Sequence, residues 1–171
     1  TEEKVATAKQ IHDIAVGEFG LRPHDILFDA LTFTVGAGDE TLRDAATQTV
    51  DAIRRIKSEL PGVSTVLGVS NISFGLAPYS RKLLNSVFLH EAIEAGLDAA
   101  IIDAAKIVPL ARISEEDREI CLDLLRDRVK NPEQSPLMTF IEHFAESDTS
   151  ETDDTQESED RRQAEQVLLD Q

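Results

Sequence analysis

Three polar side chains stand where apolar runs stop: Asp29 in "ILFDALTF", Asn71 in "LGVSNISFG" and Asp103 in "AAIIDAAK". A carboxylate presents two acceptors side by side, which suits a heterocycle edge made of an N–H and an exocyclic amine. Asp29 interrupts an apolar strand, where an unpaired buried carboxylate is costly, so it either binds such an edge or holds a neighbouring residue or backbone group. The Asn71 amide both donates and accepts, so it can contact a ring nitrogen without demanding one protonation state. Ser70 and Ser73 flank it and can serve the local backbone, leaving the amide available; capping or an Asx turn is the competing use. Asp103 either points inward as a supporting acceptor or caps the turn that follows it.

The elements that position these residues alternate. Val5, Ala8, Ile11, Ala15 and Phe19 recur at helical spacing in the first twenty residues. "RPHD" reads as a turn and "ILFDALTFTV" as a strand, and Gly36 and Gly38 open a loop before a helix capped by Asp39 or Thr41. Leu42, Ala45, Ala46, Thr49, Ile53 and Ile56 line that helix, and Pro61-Gly62 closes it. "VSTVLGVS" is the next strand, "YSRKLLNSVFLHEAIEAG" a helix, "LDAAIID" a third strand, and "SEEDREICLDLLRDRVK" a helix opened by an approximate Ser114–Asp117 capping box. Strands about 35 residues apart with helices between them predict parallel pairing through crossovers, in a barrel or a doubly wound sheet. In either architecture the C-terminal strand ends gather around the ligand, which is where the three polar residues fall. The glycines at 36 and 38 lack the strand, loop and helix pattern of a phosphate fingerprint and read as an open turn.

Composition narrows the function. The 171 residues carry 33 Asp and Glu against 17 Lys and Arg, a formal charge of −16, which disfavours nucleic acid as a partner. No apolar run reaches membrane length, so the expectation is a soluble cytoplasmic protein with no membrane partner. The single cysteine, Cys121, reads as the buried face of a helix, and the four dispersed histidines show no metal-ligand spacing. Residues 1–130 form the α/β part and 131–145 a short helical extension through Leu137, Phe140, Ile141 and Phe144. Residues 146–160 hold eight carboxylates and no basic group, predicting a disordered acidic linker without calcium-loop spacing. Residues 161–171 read as the start of a further helix, and the absence of a starting methionine points to a fragment or a processed product.

The combination of "ILFDALTFTVGAG", "TVLGVSNISFG" and "LLNSVFLHEAIEAGLDAAIIDAAKIVPL" resembles the later part of the pterin-binding barrel domain of cobalamin-dependent methionine synthases. Related barrels occur in corrinoid methyltransferases and dihydropteroate synthases. The resemblance covers residues 1–130 and implies the last three strand-helix units of a (β/α)8 TIM barrel. It implies methyl transfer from 5-methyltetrahydrofolate to cob(I)alamin, with homocysteine as the final acceptor in a complete enzyme. Asp29 matches the aspartate that holds the pterin edge, and Asn71 the asparagine that reaches N5. Ser73 and Asp103 stand with them as candidate binding residues. Relatives commonly place proline after the aspartate, where this chain has Ala30. The cobalamin is expected on another module, with the acidic tract as tether, and the missing barrel half is a further expected partner. Independent activity is not expected. The alternatives are a noncatalytic barrel fragment needing a complementary chain, or a dihydropteroate-synthase-like enzyme, which would call for a diphosphate site although no clear Lys or Arg trio stands out.

Overall fold

The computed structural model describes residues 1–150. In chain order these form α1 (Glu2–Gly17), β1 (Leu27–Asp29), α2 (Ala45–Glu59), β2 (Ser64–Gly68), α3 (Pro78–Glu94), β3 (Ala99–Ile101), α4 (Glu115–Leu125) and a helix, α5, over 136–150. The strands are parallel in the order β1-β2-β3, with Asp29 opposite Val66 and Gly68 opposite Ile101.

Side-chain alternation along these strands decides between the two expected architectures. Phe28, Thr65 and Leu67 are buried on the helix side. Leu27 and Ile101, on the other face, are 55% and 68% exposed. A doubly wound sheet would cover both faces, whereas sequential parallel strands with helices on one face are an arc of a (β/α)8 barrel. The bare face is the inside of that barrel.

The same incompleteness explains α1. Val5 and Ala8 are buried, but Ile11, Ile14 and Phe19 are 48%, 40% and 73% exposed, because the latter part of the apolar stripe has no strand beneath it. β1 is shorter than the ten-residue run in the sequence. It ends at Asp29, where one carboxylate oxygen accepts from the Leu31 N–H at 2.9 Å and Leu31 takes φ 58°. The Lys4 ammonium fixes the reversal by donating to the carbonyls of Ala30 and Leu31 at 2.9 and 2.7 Å and to Thr49 Oγ1 at 2.9 Å.

From there the chain crosses to the loop after β2. Val35 N–H donates to the Ile72 carbonyl at 3.0 Å, and Thr34 Oγ1 donates to the Phe74 carbonyl at 2.8 Å. Gly36 lies against this loop so closely that a Cβ would stand 2.7 Å from Leu76 Cγ and 2.9 Å from the Phe74 carbonyl. The loops following β1 and β2 are thereby stitched into one surface.

The helix after β3 departs from the barrel layer. α4 packs against α3 and α2 instead of folding back on β3. Thr47 Oγ1 donates to the Leu125 carbonyl at 3.3 Å, Arg43 pairs with Asp127 at 3.0 Å, and Arg126 pairs with Glu91 at 2.5 Å. Ala100, the β3 residue on the helix side, consequently remains exposed, as do Ala99 and Ile101 on the bare face. Only half of the expected capping box forms: Ser114 Oγ accepts from the Asp117 N–H at 3.0 Å, while the Asp117 carboxylate meets His143 Nε2 at 2.7 Å. Cys121 is fully buried, and burial, with a smaller push from Asp117, raises its thiol to about 12.

α5 buries Phe140 and Phe144 in the core, and the Asp148 carboxylate accepts from the Ser80 N–H in the first turn of α3 at 2.8 Å. It continues through residues 146–150, the opening of the stretch expected to be linker. The rest of that stretch and the expected helix start at 161–171 lie outside the described residues. Among the described residues no helix is long and apolar enough to cross a membrane.

Two bonds of this framework are directly testable. Asp98, just before β3, accepts from the Thr65 N–H at 2.7 Å and pairs with Lys57 at 2.8 Å, so the Lys57 ammonium foremost holds its carboxyl below the ordinary value. A lowered native value means the stabilisation is present above the unfolded carboxylate value of about 3.9 and is lost as pH falls through the native one. Asp98→Ala should cost about 1–3 kcal/mol in urea unfolding at neutral pH, mostly by leaving the buried Thr65 N–H unpaired. The gap to the parent should narrow below about pH 4; a gap constant through acid would refute the role given to the charge. Gly36→Ala should cost a similar 1–3 kcal/mol by overpacking, and an unchanged unfolding midpoint would contradict the tight stitch between the two loops.

Candidate functional site

The C-terminal ends of the three strands make a rim on which the sequence-predicted residues sit in different states. Asn71 lies in the 3-10 turn Val69–Ser73 that follows β2. It is exposed, and its carboxamide has no hydrogen bond to any described residue. It caps nothing: Ala77 is the N-cap of α3, and Pro78 opens the helix. Gly68 makes room for the amide, since a Cβ there would stand 3.2 Å from Asn71 Nδ2.

Ser73 has a different role from the one expected. It is fully buried, its hydroxyl donates to the Ser70 carbonyl at 3.2 Å, and it accepts from Arg81 Nε at 3.1 Å. Arg81 also donates from Nη2 to the Ser70 carbonyl at 3.3 Å. Ser73 therefore ties the turn that presents Asn71 to α3.

Asp29 stands at the end of β1 on the bare face. One carboxylate oxygen binds the Leu31 N–H, and the other has no partner among the described residues. Asp29 lines a groove of about 330 Å³ between α1 and β1 with Lys4, Ile11, Leu31 and Phe33. The Lys4 ammonium is 5.4 Å from the centre of the Phe33 ring. Burial pulls its pKa below the ordinary lysine value, against the opposing attraction of Asp29.

Asp103 takes the capping role. Its carboxylate accepts from the Ala105 N–H at 3.1 Å and faces Lys106 Nζ at 3.6 Å. It edges a larger cavity, about 610 Å³, enclosed by the turn after β2, α3 and the segment after β3. Asp29 and Asp103 thus line separate hollows, one on the β1 side and one on the β3 side of the strand that carries Asn71.

The larger cavity also corrects the expectation about basic residues. Arg81, Lys82 and Lys106 all line it, a trio that sequence distance concealed. Asn85 lines it too, 8% exposed, with a buried Oδ1 that has no partner among the described residues. Lys4, Arg81 and Asn85 escaped the sequence reading. Each carried one signal: Lys4 falls in the stripe of Ala8 and Ile11, while Arg81 and Asn85, one helical turn apart, put polar groups on a face continued by apolar residues.

Residues 1–103 match the family described as pterin binding enzymes. The methionine synthase of Mycobacterium tuberculosis is 46% identical over 143 residues, covering 84% of this chain and 12% of that protein. The methionine synthase of Mycobacterium leprae is 44% identical over 158 residues, covering 92% of this chain and 13% of that protein. The chain therefore spans about an eighth of the length of these relatives. With 103 of its 171 residues matched to the family, and with a parallel barrel arc whose strand ends carry Asp29 and Asn71, the chain belongs to the pterin-binding enzymes.

Proposed function

We propose that the chain is the later part of a barrel that binds 5-methyltetrahydrofolate for methyl transfer in methionine synthesis. The observation that carries this reading is the Asn71 carboxamide, held at the end of β2 by the Arg81–Ser73 contact and left without a protein partner among the described residues. Asp29 supplies the other half, its free carboxylate oxygen accepting from the amino-substituted edge of the pterin.

The chemistry asks little of the protein except at N5. Loss of the methyl group would leave an amine anion, a poor leaving group, unless N5 is protonated or its hydrogen bond strengthens as the carbon–nitrogen bond breaks. An amide can donate to N5 or accept from its proton, so Asn71 keeps a partner on both sides of the proton transfer. No nucleophile from the protein is involved, and the acceptor of the methyl group is a reduced corrinoid carried by another module. The described histidines lie away from the strand ends: His12 beside Asp13, His24 beside Asp25, His143 bonded to Asp117, and His90 within α3.

The bare inner face supports a requirement for the missing barrel half as partner, and with it the reading of a fragment inactive alone. A pteroate-forming reaction gains support from the basic trio in the larger cavity, but the methionine synthase relatives favour methyl transfer.

Titration calorimetry with 5-methyltetrahydrofolate tests the reading on the chain alone and on the chain replacing its counterpart in the Mycobacterium tuberculosis relative. The isolated chain should show no heat of binding, and the completed barrel should bind. There, Asp29→Asn should weaken binding about 10-fold or more, as expected for loss of a charge-assisted hydrogen bond. Asn71→Ala should slow single-turnover methyl transfer more than it weakens binding. Unchanged affinity in both variants would place the pterin elsewhere.

A further inference from the structure

Lys4 is a misplaced cation by the rules of local structure. It sits in the first turn of α1, where a positive charge opposes the helix dipole, and Asp29 lies close enough to attract it. Yet it makes no ion pair with Asp29 among the described residues. Its N–H groups go to neutral oxygens instead: the Ala30 carbonyl, the Leu31 carbonyl and Thr49 Oγ1. An ammonium has three donors, so none is left for a ligand. What these bonds hold is strained. Leu31 and Asp127 are the non-glycine residues with positive φ among the described residues, and a bulky leucine tolerates the left-handed region far less than an aspartate does. Such strain persists only where the surroundings over-determine it. Leu31 is gripped at both ends: its N–H donates to Asp29 at 2.9 Å, and its carbonyl accepts from Lys4 at 2.7 Å and from Thr49 Oγ1 at 3.1 Å. Thr49 is fully buried on α2, so the grip is anchored in the core.

We propose that Lys4 is a positioning residue for the pterin contact: it holds Leu31 in the left-handed conformation, Leu31 aims the free carboxylate oxygen of Asp29, and Lys4 itself touches no substrate. The inference rests on the folate reading above. Asp29 is exposed at the end of β1, and the bond from the Leu31 N–H is what fixes its carboxylate. With the Lys4 donors removed, Leu31 relaxes toward negative φ and its N–H turns away from Asp29. The carboxylate then has to be ordered by the ligand itself, and affinity falls by the cost of that ordering.

The test uses the same completed barrel and reads dissociation constants for 5-methyltetrahydrofolate. Lys4→Met, which keeps the aliphatic stem and removes the donors, should weaken binding about 10-fold, no more than Asp29→Asn does. The two losses should not multiply: the double variant should bind about as Asp29→Asn alone, because both changes act on one contact. Adding Leu31→Gly to Lys4→Met should return the affinity to within about 3-fold of the parent, since glycine takes the left-handed conformation without the clamp. Asp98→Ala, destabilising through a bond at the other end of the sheet, should bind like the parent. Should Lys4→Met fail to fold, Thr49→Val removes the second donor to the Leu31 carbonyl and carries the same comparison with Asp29→Asn. Parent-like affinity of Lys4→Met overturns the proposal. A multiplied loss of about 100-fold in the double variant also does, because it gives Lys4 a contact of its own. A loss that Leu31→Gly does not recover, or that Asp98→Ala equals, reduces Lys4 to a general stabiliser and overturns it too. Failure of the folate reading looks different: the parent does not bind, or Asp29→Asn leaves its affinity unchanged.

Discussion

Burial of a parallel sheet on one face only is the constraint from which the rest of the structure follows. β1, β2 and β3 press Phe28, Thr65 and Leu67 into helices and leave Leu27 and Ile101 bare. Parallel strands depend on cover from both sides, because their crossovers put apolar residues on each face. The uncovered side is therefore a surface made for strands that these residues do not contain. The same demand accounts for the apolar groups of α1 beyond Ala8 and for the open edge of β3.

Within that incomplete frame the strand-end turns are nevertheless well built. Asp29 turns the chain onto itself through Leu31, Lys4 secures the two carbonyls that follow, and the 34–36 segment is bonded to the loop after β2. The turn after β2 is tied to α3 by Ser73 and Arg81, so Asn71 is presented on a fixed support. These contacts are all internal to the described chain. Adding strands to the bare face would enclose the rim without having to form it.

The alternation of helices and strands was legible because apolar spacing changes with each element, and the three strand-end residues were legible because each breaks an apolar run. The barrel, as against a doubly wound sheet, was not legible from spacing alone; the family resemblance implied it, and the one-sided cover of the sheet bears it out. That choice depends on which face of the sheet the helices leave open, a property of the whole arrangement. The length of β1 was overread because "ALTFTV" is apolar for another reason: it runs over the ends of the strands, anchored by Val35 at Ile72. Ser73 looked available because a hydroxyl beside Asn71 is equally suited to a ligand or to its own turn; only its burial under Arg81 separates the two. The path of α4 was hidden in a similar way, since an apolar stripe marks a buried face without saying which neighbouring element covers it.

The seat of α5 sets where any following part of the polypeptide begins its search. Asp148 rests on the first turn of α3, at the end of the barrel that carries Asn71. A module joined beyond residue 150 thus departs from the rim of the candidate site and not from the opposite end of the strands. Its tether need not span the height of the barrel, so a given linker length keeps the module at a higher effective concentration over that rim.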